Sequence, residues 1–305
     1  ANNAIGDDGV IALANSPHLH KLEELDLSYN TGIGAQGLRA LAFTERLPSL
    51  QKLTLERIEP DPVSTVLLMS TLGGERGCEI KVERPKLTRE DTVALAEALD
   101  VNPLERVMLR FRYDDAEAAE PLFASKGFAV VKHLDMSCNG DVPVLRELAR
   151  SEANPTWISL SQNTIEAEDI VAFVEAGKME HVEHLDLTYT SLDDAGLAAL
   201  LDAPVLGNLR ELRLDSTKIT SDGFAALAAA DGLTGLETLH LPYPEVEQLE
   251  LLSTASWITG PDKVWFSSLE LGEEGCKRLV ENPSVSENIK ARARALLASY
   301  KTYRS

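Results

Sequence analysis

Three glycines offer the first possible chemistry, because Gly32, Gly34 and Gly37 have the G-x-G-x-x-G spacing of a dinucleotide-binding loop. The loop follows a predicted strand and opens a predicted helix, and Glu56 ends the next strand, where a ribose ligand is expected. Two of the glycines recur in other copies of the same phrase, as Gly6 and Gly9 and as Gly272 and Gly275. We therefore interpret them as turn residues of a repeat and predict no nucleotide cofactor.

Two histidines could share a metal ion, since His133 and His184 occupy equivalent positions two repeats apart. Parallel strands lie about 4.8 Å apart, so these side chains start roughly 10 Å apart. Zinc needs nitrogen ligands about 2 Å from a common centre, and the sequence offers no third ligand beside this pair. We predict no metal site.

Ser159, His184 and Asp186 are expected on adjacent strands and could form a hydrogen-bonded cluster on one sheet face. The sequence shows no nucleophile elbow and no pair of oxyanion donors near them. An open sheet is also a poor place to exclude water from a reaction. We therefore predict that the protein is not an enzyme.

The elements that position these residues follow a repeated pattern, L-x-x-L-x-L-x-x-N, which is complete at Leu22, Leu25, Leu27 and Asn30. Each copy joins a segment with apolar residues two apart, typical of a half-buried strand, to an amphipathic helical segment. About eleven copies of strand, turn, helix and turn predict an α/β solenoid, a horseshoe with an inner parallel sheet and outer helices.

On these residues the chain resembles leucine-rich repeat proteins of the ribonuclease-inhibitor-like subclass, and the phrase "NAIGDDGVIALA" after Asn2 is most similar to bacterial members. In that family the asparagine of the pattern bonds backbone groups between coils. Copies with another residue at this position should therefore be less regular. The replacements are Ile58, Pro85, Arg112, Thr190, Thr217 and Pro244. The stretch from 56 to 128 departs most from the pattern, and Thr88 and Ser221 are predicted to cap helices.

We predict a repeat domain over 1–285, with a truncated first repeat, and a C-terminal capping helix over 286–305. The chain begins at the asparagine position of a copy, which indicates a fragment whose first helix leaves Val10 and Leu13 partly uncovered. The capping helix is expected because the core exposed by a last coil must be covered. Its apolar face is formed by Ile289, Ala293, Leu296, Tyr300 and Tyr303.

The composition favours a protein partner, because 29 basic residues against 49 acidic ones give a net charge of −20. Such a charge disfavours bare nucleic acid and anionic membranes, although acidity could equally serve solubility alone. The three cysteines, Cys78, Cys138 and Cys276, have no paired spacing, which favours a reducing, cytoplasmic location. The sequence shows no membrane span and no signal peptide.

The concave face of the predicted sheet is the strongest functional signal, since six of the 16 aromatic residues fall at its positions. They are Tyr29, Phe111, Trp157, Tyr189, Tyr243 and Trp265. Exposed aromatic side chains on a rigid surface are typical anchors of protein interfaces. Over the irregular strands and the next strand the same face carries seven basic and five acidic residues, a local charge of +2, although a solvated mixed-charge surface would look the same.

We therefore predict non-catalytic protein–protein recognition through the concave face, with no cofactor and with another protein as partner. The alternative is a regulator of a small GTPase, which the resemblance implies through the Ran GTPase-activating relatives of the subclass. The predicted partner-binding residues are Arg57, Arg84, Arg110, Phe111, His133, Trp157, His184, Tyr189, Tyr243 and Trp265.

Overall fold

The computed structural model describes residues 3–58, 60–82, 86–109, 112–113, 117–140, 143–258, 264–266 and 271–302. The chain divides into two compact units, residues 1–142 with 151–153 (unit 1) and residues 143–150 with 154–305 (unit 2). In each unit short parallel strands alternate with helices, which is the predicted α/β repeat architecture. Within the described ranges, no helix is both long enough and apolar enough to cross a membrane.

Unit 1 contains seven of the described strands. They are β1 (Glu24–Asp26), β2 (Lys52–Leu55), β3 (Glu79–Val82), β4 (Lys86–Leu87), β5 (Arg106–Met108), β6 (Arg112–Tyr113) and β7 (His133–Asp135). Its helices are α1 (Asp7–Ala14), α2 (Ala35–Ala42), α3 (Pro62–Leu68), α4 (Arg89–Val101) and α5 (Glu120–Phe123). Strands β1, β2 and β3 form one parallel sheet, β5 pairs with β7, and β4 pairs with β6.

The predicted irregular stretch differs from the other coils of unit 1 in its helix. Helix α3 continues directly into a π-helix, Met69–Glu75, which packs against β5. The hydroxyl of Ser70 accepts a hydrogen bond from the Met108 N–H at 3.0 Å, so a side chain of the π-helix pairs a backbone N–H of strand β5. Pro121 falls within the first two positions of the short helix α5, where a missing N–H costs no hydrogen bond.

Unit 2 contains five parallel strands in one order, β8 (Trp157–Ser159), β9 (His184–Asp186), β10 (Glu211–Arg213), β11 (Thr238–His240) and β12 (Val264–Trp265). Its helices are α6 (Val144–Arg150), α7 (Ala167–Glu175), α8 (Asp194–Leu201), α9 (Ser221–Ala229), α10 (Val246–Leu252), α11 (Gly272–Glu281) and α12 (Glu287–Thr302). The central leucines Leu185, Leu212 and Leu239 lie in register and are buried, as the period-two pattern predicts.

The asparagine of the pattern does bond backbone groups, and threonine replaces part of this role. Asn30 donates to the Leu27 carbonyl at 2.8 Å and accepts from the Asn3 and Ile5 N–H groups of the preceding coil. Thr190 and Thr217 hydroxyls donate to the carbonyl three residues earlier, at 2.7 and 2.8 Å. The expectation that all coils without asparagine are irregular is therefore wrong for these two, because a hydroxyl makes the same local bond.

Aspartates link consecutive coils at their helix N-termini. Asp7 on α1 accepts hydrogen bonds from the N–H groups of Gly34 and Gly37 at the start of α2, at 2.7 and 2.9 Å. Asp194 on α8 accepts likewise from the N–H groups at the start of α9. A carboxylate at a helix N-terminus satisfies free donors and suits the helix dipole. These contacts explain the G-x-G-x-x-G loop as a feature of the repeat, since a Cβ on Gly37 would lie 2.7 Å from Asp7 Oδ1.

The capping predictions have different outcomes. Thr88 caps α4 with a complete capping box, as predicted. The prediction for Ser221 is wrong by one residue, because Thr220 is the N-cap of α9 and its hydroxyl accepts from the Asp222 N–H. The prediction that Val10 and Leu13 are partly uncovered is confirmed for Leu13, which is half-buried, and is wrong for Val10. Its side chain is 0% exposed because α2 packs against α1 and brings Gly37 close to Val10.

The C-terminal helix α12 packs against α11 and β12. Ile289 and Ala293 are fully buried, whereas Leu296 and Leu297 are partly exposed. The Asn288 side chain accepts a hydrogen bond from the Val264 N–H at 3.1 Å, so the helix satisfies a donor of the last described strand. The division into a repeat domain over 1–285 and a cap over 286–305 stays a prediction.

Candidate functional site

The candidate site lies on the face of the unit 2 sheet that points away from the helices, which we call the open face. The strand register places side chains on it in two rows. One row runs Trp157, His184, Glu211 and Thr238, and the other runs Ser159, Asp186, Arg213, His240 and Trp265. Because the intervening residues are core leucines, isoleucine and valine, these rows are held on a rigid, packed layer.

Hydrogen bonds and ion pairs divide the predicted Ser159–His184–Asp186 cluster. The Ser159 hydroxyl donates to Asp186 Oδ2 at 3.3 Å, whereas His184 Nδ1 lies 3.1 Å from Glu211 Oε2. Glu211 also approaches the next strand, with Oε1 at 3.8 Å from His240 Nε2. One carboxylate thus lies between two histidines, and a charge network spans β9 to β11.

A short aspartate turn recurs at the ends of the strands. Asp26, Asp135 and Asp186 each accept a hydrogen bond from the N–H two residues later, at 2.9, 3.1 and 2.9 Å. That later residue is Ser28, Ser137 or Thr188, so these copies share an Asp-x-Ser/Thr phrase. The β10 copy departs from it, because Arg213 stands at the aspartate position and Asp215 at the hydroxyl position.

Asp215 therefore has no aspartate two residues earlier to accept its N–H, although a backbone N–H does donate to its own carboxyl group. Partial burial raises the pKa of its carboxyl group, and the nearby His240 and Arg213 only partly oppose that effect. Its Oδ2 atom is buried without a hydrogen-bond partner and lies 3.8 Å from His240 Nδ1. Arg213 Nε and Thr188 Oγ1, on the same face, are also buried without partners.

His240 connects this carboxylate to an aromatic surface. Burial lowers the pKa of the imidazole, Arg213 lowers it further, and Asp215, Glu211 and Asp186 act in the opposite direction. The ring stacks on Trp265, with centroids 6.1 Å apart and planes at 12°. We call Glu211, Arg213, Asp215, His240 and Trp265 together the Asp215 patch.

Trp265 is also contacted by the C-terminal helix. The guanidinium of Arg292 lies over the indole, 4.7 Å from the ring centroid, which is a cation–π geometry. The same guanidinium donates two hydrogen bonds to the Phe266 carbonyl, at 3.2 and 3.1 Å. Trp265 nevertheless remains 42% exposed.

Two further aromatic side chains are exposed at the strand ends of unit 2. Tyr189 is 60% exposed and Tyr243 is 46% exposed. The backbone of Tyr189 is left-handed, with φ 57°, in the turn after β9. Trp157 is half-buried and lies beside His184 in register. The structure therefore brings Trp157 and His184 together and leaves Tyr189, Tyr243 and Trp265 accessible on one unit.

The other predicted residues are placed separately or lie outside the described residues. In unit 1, Arg57 is exposed in a left-handed turn after β2. His133 lies on β7, with Nε2 at 3.2 Å from Arg106 Nη1. Arg84, Arg110 and Phe111 lie outside the described residues.

Sequence reasoning missed Glu211, Arg213, Asp215 and His240. The charges that the sequence analysis weighed lie on the strands of unit 1, so none of these four was singled out. The available signal was positional, since the copies that carry Ser28, Ser137 or Thr188 at the Asp215 position have an aspartate two residues earlier, whereas the Asp215 copy has Arg213. No group of three or more potential ligand side chains in the described part of the chain is arranged to hold a metal ion.

Comparisons with known proteins support the repeat architecture. Residues 1–14, 18–42 and 178–201, about a fifth of the chain, match the family described as Leucine Rich repeat. No curated protein matches the sequence.

Among solved structures, the chain is similar to a yeast complex of Rad7 and Elc1, with 15% identity over 92% of this chain and 72% of that chain, at a TM-score of 0.44. It is similar to an internalin, InlF from Listeria monocytogenes, with 16% identity over 86% and 94% of the two chains, at a TM-score of 0.38. It is similar to TLR13 in a complex with ssRNA13, with 18% identity over 78% and 34%, at 0.35. The family match and the repeated parallel strand–helix coils agree with the α/β repeat fold that the sequence predicts.

Proposed function

We propose that this protein recognises another protein, without catalysis, through the open face of unit 2. The observation that carries the proposal is the exposure of Trp265 on the open face, together with that of Tyr189 and Tyr243 at the strand ends of the same unit. Large aromatic side chains that are already ordered lose little entropy on binding and provide most of the energy of many interfaces.

The polar groups of the open face support binding better than catalysis. The Ser159 hydroxyl is directed at Asp186 rather than at His184, so the histidine does not activate it. Asp215 and His240 lie on an open sheet, where water is not excluded. The thiols of Cys78 and Cys276, which form no disulfide bond, support the proposed cytoplasmic location. The helical coils support the ribonuclease-inhibitor-like subclass, and the bacterial likeness stays a prediction.

The test is affinity capture from a lysate of the source, followed by calorimetry with the captured protein. Trp265→Ala is expected to weaken binding by about thirtyfold, corresponding to ~2 kcal/mol, because it removes an exposed anchor. Leu251→Ala is the matched control, since Leu251 is 40% exposed but lies on helix α10. An equal loss in both variants, or a loss in the control alone, would assign the interface to the helices.

The GTPase-regulator alternative is tested in the same experiment. If the captured protein is a small GTPase, its rate of GTP hydrolysis is measured with and without the wild-type chain. Binding without a change in hydrolysis supports recognition alone. An accelerated rate would contradict the non-catalytic proposal and favour the alternative.

A further inference from the structure

We propose that the Asp215 patch receives a lysine or arginine side chain from an extended segment of the partner protein. This inference rests on the proposed function and specifies the chemistry of the partner. It follows from the charge of the open face, from the partly exposed carboxylate of Asp215, and from the aromatic surface beside that carboxylate.

The charge of the open face favours a cation. Over the described residues of strands β8 to β12 and the two residues that follow each strand, unit 2 carries three carboxylates, those of Asp186, Glu211 and Asp215. Arg213 is the one permanent cation at the same positions, so three negative charges against one positive charge leave −2 with the histidines neutral. The guanidinium of Arg292, at the sheet edge, is already engaged by the Phe266 carbonyl and the Trp265 ring. A cationic side chain therefore complements the negative charge of this face.

The acceptor that would receive the cation is the Asp215 carboxylate, because 36% of this side chain is exposed. Its Oδ2 atom is buried 3.8 Å from His240 Nδ1, so the exposed remainder of the carboxylate faces the partner. A charged donor bonds to a carboxylate more strongly than a neutral donor does. By contrast, Asp186 already accepts from Ser159 and Thr188, so its oxygen atoms serve the turn.

The position of Asp215 in the repeat supports a role outside the fold. In the copies with an aspartate two residues earlier, the equivalent residues Ser28, Ser137 and Thr188 stabilise the strand-end turn through their N–H groups, and no such bond requires a carboxylate there. Asp215 instead adds a partly buried charge whose ionised form is disfavoured. Departures from local rules that cost stability are expected where a protein binds or reacts.

The aromatic surface would hold the rest of the side chain. Lysine and arginine pack their aliphatic stems on apolar surfaces while the charged group reaches a polar partner. Trp265 is exposed and stacks on His240, which in turn lies near Asp215. The aliphatic stem would therefore pack on Trp265 while the charged group reaches Asp215. The indole already accommodates the guanidinium of Arg292.

The experiment selects random linear peptides displayed on phage against the full wild-type chain, with binding then measured on synthetic copies of the enriched peptides. Enriched peptides are expected to contain lysine or arginine, and replacing that residue by norleucine should weaken binding. Glu211→Gln and Asp215→Asn should each weaken peptide binding about tenfold or more. The affinity that remains should no longer fall as the salt concentration rises. Asp231→Asn is the matched control, since it removes the same charge at an exposed loop position after α9.

The outcomes separate this inference from the proposed function. Peptides that lose binding in Trp265→Ala but are unaffected by Glu211→Gln and Asp215→Asn would overturn the cation site and leave recognition by the open face intact. Enrichment of acidic peptides would likewise overturn it and assign Arg213 as the binding group. Equal losses in Asp231→Asn would reduce the effect to net charge and overturn it too. If no enriched peptide depends on Trp265, both proposals fail.

Discussion

Replacing Ile289 by alanine is expected to detach the C-terminal helix from the last coils. Ile289 is 0% exposed on α12, which packs against α11 and β12. Cutting a fully buried isoleucine to alanine removes three carbon atoms from the core and leaves a cavity, at a cost of about 2–5 kcal/mol. Leu296 is partly exposed, so Leu296→Ala should cost less, about 1–2 kcal/mol.

The assay is urea unfolding of the full chain, followed by tryptophan fluorescence and by far-ultraviolet circular dichroism. All three tryptophans, Trp157, Trp257 and Trp265, belong to unit 2, so fluorescence reports on the unit that contains α12. Two probes are needed because long repeat arrays can unfold in steps rather than in a single transition. The expected result is a lower urea midpoint in fluorescence.

Arg294→Ala is the matched control on the same helix, because Arg294 is exposed and its only described ion pair is with the exposed Glu287. It should leave the midpoint unchanged. A loss below about 0.5 kcal/mol for Ile289→Ala would refute the packing of α12 as the source of stability. A larger effect of Leu296→Ala than of Ile289→Ala would show that the helix packs through another face.

Three other predictions concern stability and reactivity. Asp194→Ala should cost about 1–2 kcal/mol in urea unfolding, because donors at the start of α9 lose their acceptor; no change would mean that water replaces it. Asp215→Asn should raise the melting temperature at neutral pH. Because the folded-state pKa of Asp215 is raised, its ionisation costs stability as pH rises above the ordinary value of 3.8. The gain in melting temperature should therefore vanish below that pH. A gain that persists there would refute the ionisation of Asp215 as its cause. Cys78 and Cys276 should resist a thiol reagent in the folded protein, since burial raises both thiol pKa values, whereas Cys138 should react first; equal rates would contradict the described burial.

The periodic parts of the fold could be predicted from the sequence because the core imposes the period. Leu185, Leu212 and Leu239 must alternate with polar residues if one sheet face is buried, and the structure confirms this. The π-helix at Met69–Glu75 could not be predicted, since its packing against β5 depends on contacts such as Ser70 with Met108. Contacts this distant in sequence leave no local pattern.

The candidate site was predictable only in its aromatic part. Trp265 and Tyr189 stand out because large apolar residues at exposed strand positions have no role in the core. Asp215 and His240 do not stand out, because charged residues at such positions are common and solvated. What distinguishes Asp215 is its partial burial, with Oδ2 left without a hydrogen-bond donor, and this burial depends on the neighbouring strands.

The aspartates that join consecutive coils limit how repeats could be gained or lost. Asp194 belongs to one coil, but the N–H groups it satisfies, those of Thr220 and Gly223, belong to the next. Asp7 has the same relation to Gly34 and Gly37. Deleting or duplicating a single coil at such a joint would leave either a carboxylate without donors or a helix without its acceptor. Rearrangements of the repeat array should therefore be tolerated when donor and acceptor coils move as a pair, which makes the pair the unit of engineering.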